Sequence, residues 1–409
     1  MNLIIFAIPV FFLLIGIELL IAKMKNLSYY RMNDAIANLS CGIGSQISGI
    51  FLKAVTFVGY TYLYQHSLWK IENGPITFVL LFIGVDFFYY WFHRLAHEIS
   101  FLWGSHVVHH QSEEYNLTVA LRQAWLQGAF SWVFYLPLAV VGFSPVAFLT
   151  IASLQTLYQF WIHTKLIGKM NPVFEYVFAT PSHHRVHHAV NPKYIDRNHG
   201  GTLILFDRWF GTFQEEEEEV VFGITKQINS WNPMWVNFEY WIDLFKEAFH
   251  VNNIKNFFGM MFKMPGWKPA ELGGVQPLKE VTPQTFHKYD TEISPGLTNY
   301  AFFQFVIVLL GTTFFLLFES KSPFNESWLL KISVASLIIF SLLNIGAIFE
   351  RKTWVVGLEY FRIIALSLFL GFLFRSFSFS IAIAVVAIVA IISLLWFFKF
   401  RNEFTLKSS

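Results

Sequence analysis

Nine runs of about 20 mostly apolar residues constrain this chain more than any other feature, because about 20 such residues form a helix that crosses a bilayer. Within lipid every backbone N–H and C=O must be bonded internally, and a helix meets that requirement. Only 14% of the 409 residues are charged, compared with roughly 25% in an ordinary soluble domain. We therefore expect an all-α, polytopic integral membrane protein. The nine expected transmembrane helices are 3–22, 41–64, 76–92, 124–141, 145–162, 300–318, 328–349, 354–374 and 379–398.

Basic residues follow alternate spans, and this pattern predicts the orientation. Lys23, Lys25 and Arg31 follow the first span, and Arg351 and Lys352 follow the seventh. If every span crosses the membrane, these residues share one side with the polar stretch 163–297, and an excess of Lys and Arg marks that side as cytoplasmic. We expect four regions along the chain. They are anchor spans in 1–75, a histidine-cluster domain in 76–250, a cytosolic connector in 251–298 and a four-span membrane region in 299–409.

Charge and cysteine content exclude several classes of function. A net charge of +2 provides no field that would attract nucleic acid, so no nucleic-acid partner is expected. The single cysteine, Cys41, rules out an intrachain disulfide framework and a cysteine-based zinc or iron–sulfur site. We interpret the acidic run 215–219 as a solvated loop rather than a metal or partner site.

Eleven of the 14 histidines lie between His93 and His199, and most of them fall into clusters with helical spacing. Residues three or four apart share one face of a helix. Packing does not require so many imidazoles, whose nitrogens need partners when buried, and a metal supplies those partners. Isolated histidines such as His66, His250 and His287 are interpreted as interfacial. The clustered candidate ligands are His93, His97, His106, His109, His110, His184, His187 and His188.

The number of candidate ligands favours two metal ions. Zinc takes four ligands, or three at catalytic sites, so eight or nine imidazoles are too many for one ion. Imidazole suits iron, zinc, copper and nickel, so ligand softness does not decide the metal. A carboxylate is expected nearby to offset the ionic charge. Asp86, inside the third span, and Glu98, directly after His97, are the candidates, although Asp86 could equally be satisfied by a neighbouring helix.

The order His-x3-His, His-x2-His-His, His-x2-His-His resembles the membrane fatty acid hydroxylase and sterol desaturase superfamily. Further stretches resemble its alkylglycerol monooxygenase branch: 106–123 (HVVHHQSEEYNLTVALRQ), 181–201 (PSHHRVHHAVNPKYIDRNHGG), 207–213 (DRWFGTF) and 345–359 (IGAIFERKTWVVGLE). The resemblance covers nearly the whole chain. It implies a non-haem di-iron centre at the cytosolic face, O2-dependent oxidation of a lipid, and tetrahydrobiopterin as the reductant.

The resemblance also assigns roles to individual residues. It makes the eight clustered histidines iron ligands and matches His163 to an isolated ninth histidine. His183 would be either an additional ligand or a residue that contacts the ligands without binding iron. Asp196 and Asn198, like Glu98, occupy positions typical of the branch. One departure is that the family often has Asn-Tyr-Gly where this chain has Asn198-His199-Gly200.

We therefore expect a membrane di-iron monooxygenase that cleaves the ether bond of alkylglycerols, taking its lipid substrate from the bilayer. No His-Pro-Gly-Gly cytochrome motif is present, so electrons must come from a separate electron-donor protein or from a pterin. One alternative is a sterol, fatty acid or carotenoid hydroxylase or desaturase of the same superfamily. A remoter one is a histidine-rich metal transporter, which is disfavoured because transporters place their ligands near the bilayer midplane.

Overall fold

The computed structural model describes residues 3–278, 280–376 and 380–404, and within these ranges the chain is helical and contains no β-strand. Two isolated bridges, Phe178 with Leu203 and Ala189 with Phe222, are the extended pairings there. The expected all-α class is therefore confirmed. The helices are α1 (Leu3–Met24), α2 (Met32–Gln65), α3 (Pro75–Glu98), α4 (Ser100–Trp103), α5 (Val107–His110), α6 (Gln127–Ser131), α7 (Leu136–Val141), α8 (Pro145–Trp161), α9 (Pro172–Val177), α10 (Pro181–His187), α11 (Leu205–Phe210), α12 (Pro233–Ala248), α13 (Ile254–Phe262), α14 (Pro295–Phe318), α15 (Trp328–Phe349), α16 (Val355–Ser376) and α17 (Ser380–Phe400).

Seven of the helices in the described part of the chain are long and apolar enough to cross a membrane, two fewer than the nine expected. They are α1, α2, α3, α14, α15, α16 and α17. Their bounds agree with the expected spans to within a few residues, except that α2 begins nine residues before the expected 41 and α3 runs on past 92 to Glu98. Residue 379, the expected start of the last span, lies outside the described residues.

The expected fourth and fifth spans are shorter helices. The apolar segment Gln127–Val141 is broken into α6, a 3-10 turn (Trp132–Tyr135) and α7. The next helix, α8, has 17 residues, which at about 1.5 Å per residue is shorter than a bilayer core of about 30 Å. The chain reverses between them at Gly142, whose φ is 111° and where a Cβ would lie 2.2 Å from the Trp69 carbonyl oxygen.

Serine and proline residues set where several helices begin. Ser144 accepts a hydrogen bond from the backbone of Ala147 ahead of α8, and Ser294 and Ser327 cap α14 and α15 in the same way. In α8 and α14 a proline follows the capping serine, where its missing N–H costs nothing. These caps fix the ends of helices whose length then comes from apolar residues.

The described residues form two compact units. The first extends to Ile228 and resumes from Trp235 to Lys288. Its membrane part packs α3 against α8 and α2 against α7 around a core that includes Tyr60, Leu81 and Leu138. The second unit takes residues 229–234 and the chain from Tyr289 onward, and it packs α14 to α17 as neighbouring apolar helices.

Candidate metal centre

The candidate ligands come from four places in the first unit. His93 and His97 lie on the last turns of α3, and His106 directly precedes α5. His163 follows α8, and the last cluster lies on α10 and its C-terminal cap. Local helical spacing thus sets each cluster. Ring contacts join the clusters, such as those of His93 with His106, His110 with His188, and His163 with His184.

The nine candidate imidazoles form two groups. In each group every histidine offers one ring nitrogen, and these nitrogens all lie within 4.8 Å of one another. All nine side chains are buried. The five-histidine group is His93, His97, His106, His110 and His187, and the four-histidine group is His109, His163, His184 and His188.

Hydrogen bonds at Nδ1 orient most of these rings. Nδ1 of His93 donates to the His199 carbonyl oxygen (2.7 Å), and Nδ1 of His187 to that of Arg197 (2.9 Å). In the other group, Nδ1 of His109 donates to the Arg122 carbonyl oxygen (2.8 Å). A carbonyl only accepts, so each of these neutral rings carries its proton on Nδ1 and presents an Nε2 lone pair.

The Nε2 atoms are spaced as ligands of a metal are. His93 and His106 are 2.9 Å apart at Nε2, and His106 and His110 are 3.2 Å apart. In the four-histidine group, His184 is 2.9 Å from His163 and 3.2 Å from His188. Nitrogens bound at about 2.1 Å and at right angles to one another lie about 3.0 Å apart. The donor set therefore fits a metal ion in each group.

Burial keeps the imidazoles outside the membrane-spanning helices neutral. Loss of hydration lowers the pKa of His106 to about 4 and that of His163 to about 3. The same cause holds the pKa values of His109, His184 and His188 well below the ordinary value. Neutral imidazole is the form that binds a metal ion, so the site is prepared for metal at physiological pH.

His183 and Asp86 lie outside both groups. The His183 ring packs against Phe213, and its Nδ1 lies 3.3 Å from the hydroxyl of Thr180. Fully buried Asp86 accepts hydrogen bonds from Gln155 and from the backbone of Thr202 and Leu203. Asp86 thus ties α8 and the loop after the last histidine cluster to α3.

The other polar candidates are Asp196, Glu98 and Asn198, and the first of these three contacts a ring of the five-histidine group. An Asp196 oxygen lies 3.4 Å from His97 Nδ1, whereas Glu98 pairs with Arg94 at 2.8 Å and is partly exposed. Burial, reinforced by the charge of Glu98, raises the pKa of Asp196 to about 6. Asn198 donates to the His183 carbonyl on α10 and to the Gln214 carbonyl, and it accepts from the Gln214 N–H, so it links α10 to the segment after α11.

Three polar residues that the sequence reading missed support the centre. Glu18, buried inside α1, accepts a hydrogen bond from the Leu117 backbone and from the hydroxyl of Thr164, the residue next to His163. An acid within an apolar span was the signal that could have revealed it. Arg122 bonds the Val108 carbonyl, next to His109. Asp207 accepts hydrogen bonds from the backbone of His199 and Gly200 at 2.7 Å each.

The acidic run is largely solvated, in agreement with the sequence interpretation, because Glu215, Glu217, Glu218 and Glu219 are exposed. Glu216 is the half-buried member, and it makes a two-point ion pair with Arg185 on α10 at 2.7 and 2.6 Å. No sequence pattern pointed to this pair, which joins residues 31 positions apart. It attaches the run to the helix that carries the last histidine cluster.

Fold and donor set together define a multi-pass membrane protein whose buried imidazoles fit a metal centre. The fatty acid hydroxylase family profile matches residues 78–212, which include all nine imidazoles. The alkylglycerol monooxygenase of Xenopus tropicalis is 37% identical over 86% of this chain and 78% of its own length. Those of Danio rerio (36%; 88% and 81%) and Homo sapiens (35%; 87% and 80%) are similarly close. No solved structure matches.

The chain therefore belongs to the fatty acid hydroxylase family, in the branch of the alkylglycerol monooxygenases. It is an integral membrane oxidoreductase of the monooxygenase class. The histidine pattern had predicted this family, and the prediction is confirmed.

Proposed function

We propose that the chain is an O2-dependent di-iron monooxygenase that cleaves the ether bond of alkylglycerols. Hydroxylation of the carbon next to the ether oxygen gives a hemiacetal, which collapses to a fatty aldehyde and glycerol. One atom of O2 enters the hemiacetal, and the other leaves as water with two electrons and two protons from a reductant. The observation that carries the proposal is two buried imidazole groups in a chain 35–37% identical to three alkylglycerol monooxygenases.

The donor sets support iron in both groups. Imidazole suits iron. On six-coordinate ions, the five-histidine group would leave one open position and the four-histidine group would leave two. Two iron ions bound there would supply the O2-derived oxidant that removes hydrogen from an unreactive C–H bond. The nine histidines are the residues that would hold them. His183 is not needed for either group.

The chain's own residues orient the ligands and exclude water. The Nδ1 bonds described above fix the ring orientations, as residues behind metal ligands commonly do. Trp103 packs its ring 4.7 Å from that of His97 and 5.4 Å from that of His110. Tyr115, fully buried, lies 5.4 Å from His188 in the other group. A dry site protects a reactive oxidant from side reactions.

A polar cavity next to the four-histidine group supports entry of the reductant from the wet side. The cavity has a volume of about 410 Å³, and its lining includes Lys165, Arg185 and Phe222. Phe222 stacks on Tyr115 at 4.6 Å, and Tyr115 in turn contacts the ring of His188. Both tetrahydrobiopterin and a docked electron-donor protein are compatible with this arrangement. The excess of Lys and Arg in the flanking loops supports a cytoplasmic position for this side.

The test offers 1-O-alkylglycerol, a free fatty acid and a sterol side by side to the iron-loaded protein. Each is assayed with reduced pterin and then with a ferredoxin or cytochrome donor. We expect O2-dependent release of fatty aldehyde from the alkylglycerol. His188→Ala should abolish turnover, and the matched variant of an exposed histidine, His250→Ala, should not. Oxidation of sterol or fatty acid without ether cleavage would instead assign the chain to the neighbouring activity.

A further inference from the structure

His199 is an unusual buried residue beside the five-histidine group. Its side chain is 0% exposed, and neither ring nitrogen has a hydrogen-bond partner among the described residues. Each buried polar atom without a partner costs about 1–3 kcal/mol, so native structures supply one, from protein, water or a bound ligand. The Asp196 backbone approaches the ring outside hydrogen-bond geometry and could serve only one nitrogen, so at least one nitrogen requires a partner that the described residues do not provide.

The ring is held facing the five-histidine group. Its centroid lies 5.0 Å from that of His97 and 5.6 Å from those of His93 and His187. The backbone is fixed on both sides, because the His199 N–H donates to Asp207 and its carbonyl accepts from His93, each at 2.7 Å. These two bonds fix the backbone from which the fully buried ring projects.

His199 is nevertheless not one of the five. Its nitrogens fall outside the set that lies mutually within 4.8 Å, although its ring touches three members of that set. Five imidazoles leave one position on a six-coordinate ion. The ring of His199, packed against three of the five, would contact a small molecule bound on its side of such an ion.

We propose that His199 hydrogen-bonds the small exogenous ligand at the open position of the five-histidine metal, dioxygen during turnover and azide as a probe. A neutral imidazole donates one hydrogen bond, and a bond to a charged acceptor is about twice as strong as a neutral one. The role rests on the proposed metal centre, and it goes beyond it by assigning ligand binding to a residue that does not hold the metal.

The test uses full-length, iron(III)-loaded protein in mild detergent and follows azide binding by its charge-transfer absorption. His199→Phe keeps a ring of similar size and removes both nitrogens. We expect it to retain the wild-type iron content and to weaken azide binding at least about tenfold, the effect of losing one charge-assisted hydrogen bond. His199→Tyr restores a donor and should recover most of the affinity. His183→Phe, a buried histidine outside both groups, is the matched control and should bind azide as the wild type does.

Each outcome decides a different point. Unchanged azide affinity in His199→Phe would overturn the proposal, and loss of about one iron per chain would overturn it by making His199 a ligand. If His199→Phe does not fold, His199→Met, which also lacks a donor, takes its place. A wild-type protein that binds no iron would contradict the proposed metal centre itself. An iron-loaded His199→Phe variant that binds azide as the wild type does would contradict only the role of His199.

Discussion

The Nε2 atoms of His109 and His163 lie 3.1 Å apart, and both are hydrogen-bond acceptors. His109 gives its Nδ1 proton to the Arg122 carbonyl and His163 to the Gln159 carbonyl, each at 2.8 Å. Two lone pairs at hydrogen-bond distance with no proton between them repel each other. A cation between them turns that repulsion into two bonds, so this pair alone indicates a metal position.

The first prediction follows from the division of the histidines into two groups. His163→Ala should remove about one of two bound metal ions, because it changes only the four-histidine group. His187→Ala should remove the other ion, and the double variant should remove both. Metal per chain is measured by mass spectrometry on purified protein, with His66→Ala, an exposed histidine at the end of α2, as the control. Loss of both ions from either single variant would show one cooperative site.

The second prediction concerns the two carboxylates near His97. Asp196→Asn should lower metal affinity by about 10- to 100-fold, because Asp196 contacts the Nδ1 atom of His97. Glu98→Gln should change it little, since a partly exposed ion pair contributes about 0–1 kcal/mol. Competition with a chelator of known affinity measures both variants. An equal loss of affinity in the two would contradict the distinction.

Helical spacing explains why the sequence located the ligands. Residues four apart stay on one face, and His93 with His97, His106 with His110, and His184 with His188 each enter one group together. The third member of each later cluster, His109 or His187, enters the opposite group. Spacing could therefore predict two centres. It could not show which cluster completes which group, because that depends on packing between distant elements.

Local spacing rules could not predict the position of Asp196 or the interruption of the expected fourth span. Asp196 reaches His97 from a loop in which Asp196 and Asn198 adopt positive φ angles of 55° and 56°, which no spacing rule indicates. The expected fourth span is mostly apolar, but its helix is interrupted by a 3-10 turn and ends at Gly142. The length of an apolar run shows that a segment suits the membrane. It does not show where the backbone changes from α-helical to 3-10 hydrogen bonding.

The third prediction tests the orientation of the membrane helices. With Cys41 first replaced by alanine, a cysteine at the exposed Ser322, between α14 and α15, should react with an impermeant maleimide on intact cells. A cysteine at Gln284, exposed in the stretch before α14, should react only after the membrane is opened. The loop charges favour this arrangement. Labelling of position 284 in intact cells would place the polar region outside.

The fourth prediction concerns a fully buried ion pair in the second unit. Arg362 donates to Glu359 from Nε at 2.7 Å and from Nη2 at 2.5 Å, and Gln304 accepts a further bond from Nη2. Both charged side chains are 0% exposed. Removing one member of such a pair leaves the other charge buried and unpaired, and costs about 3–5 kcal/mol. Glu359→Gln and Arg362→Met should each lower the apparent Tm in detergent by roughly 10 °C, at about 3 °C per kcal/mol.

The double variant Glu359→Met plus Arg362→Met separates charge pairing from packing. It removes both charges and keeps apolar volume, so it should be more stable than either single variant, as apolar replacements of buried pairs commonly are. Lys352→Met, which removes an exposed charge paired with Glu350, is the control and should leave Tm nearly unchanged. If the double variant melts at or below the lower of the two single variants, the losses simply add. The pair would then contribute through packing and hydrogen bonds to Tyr300 and Asn344 rather than through mutual neutralisation of its charges.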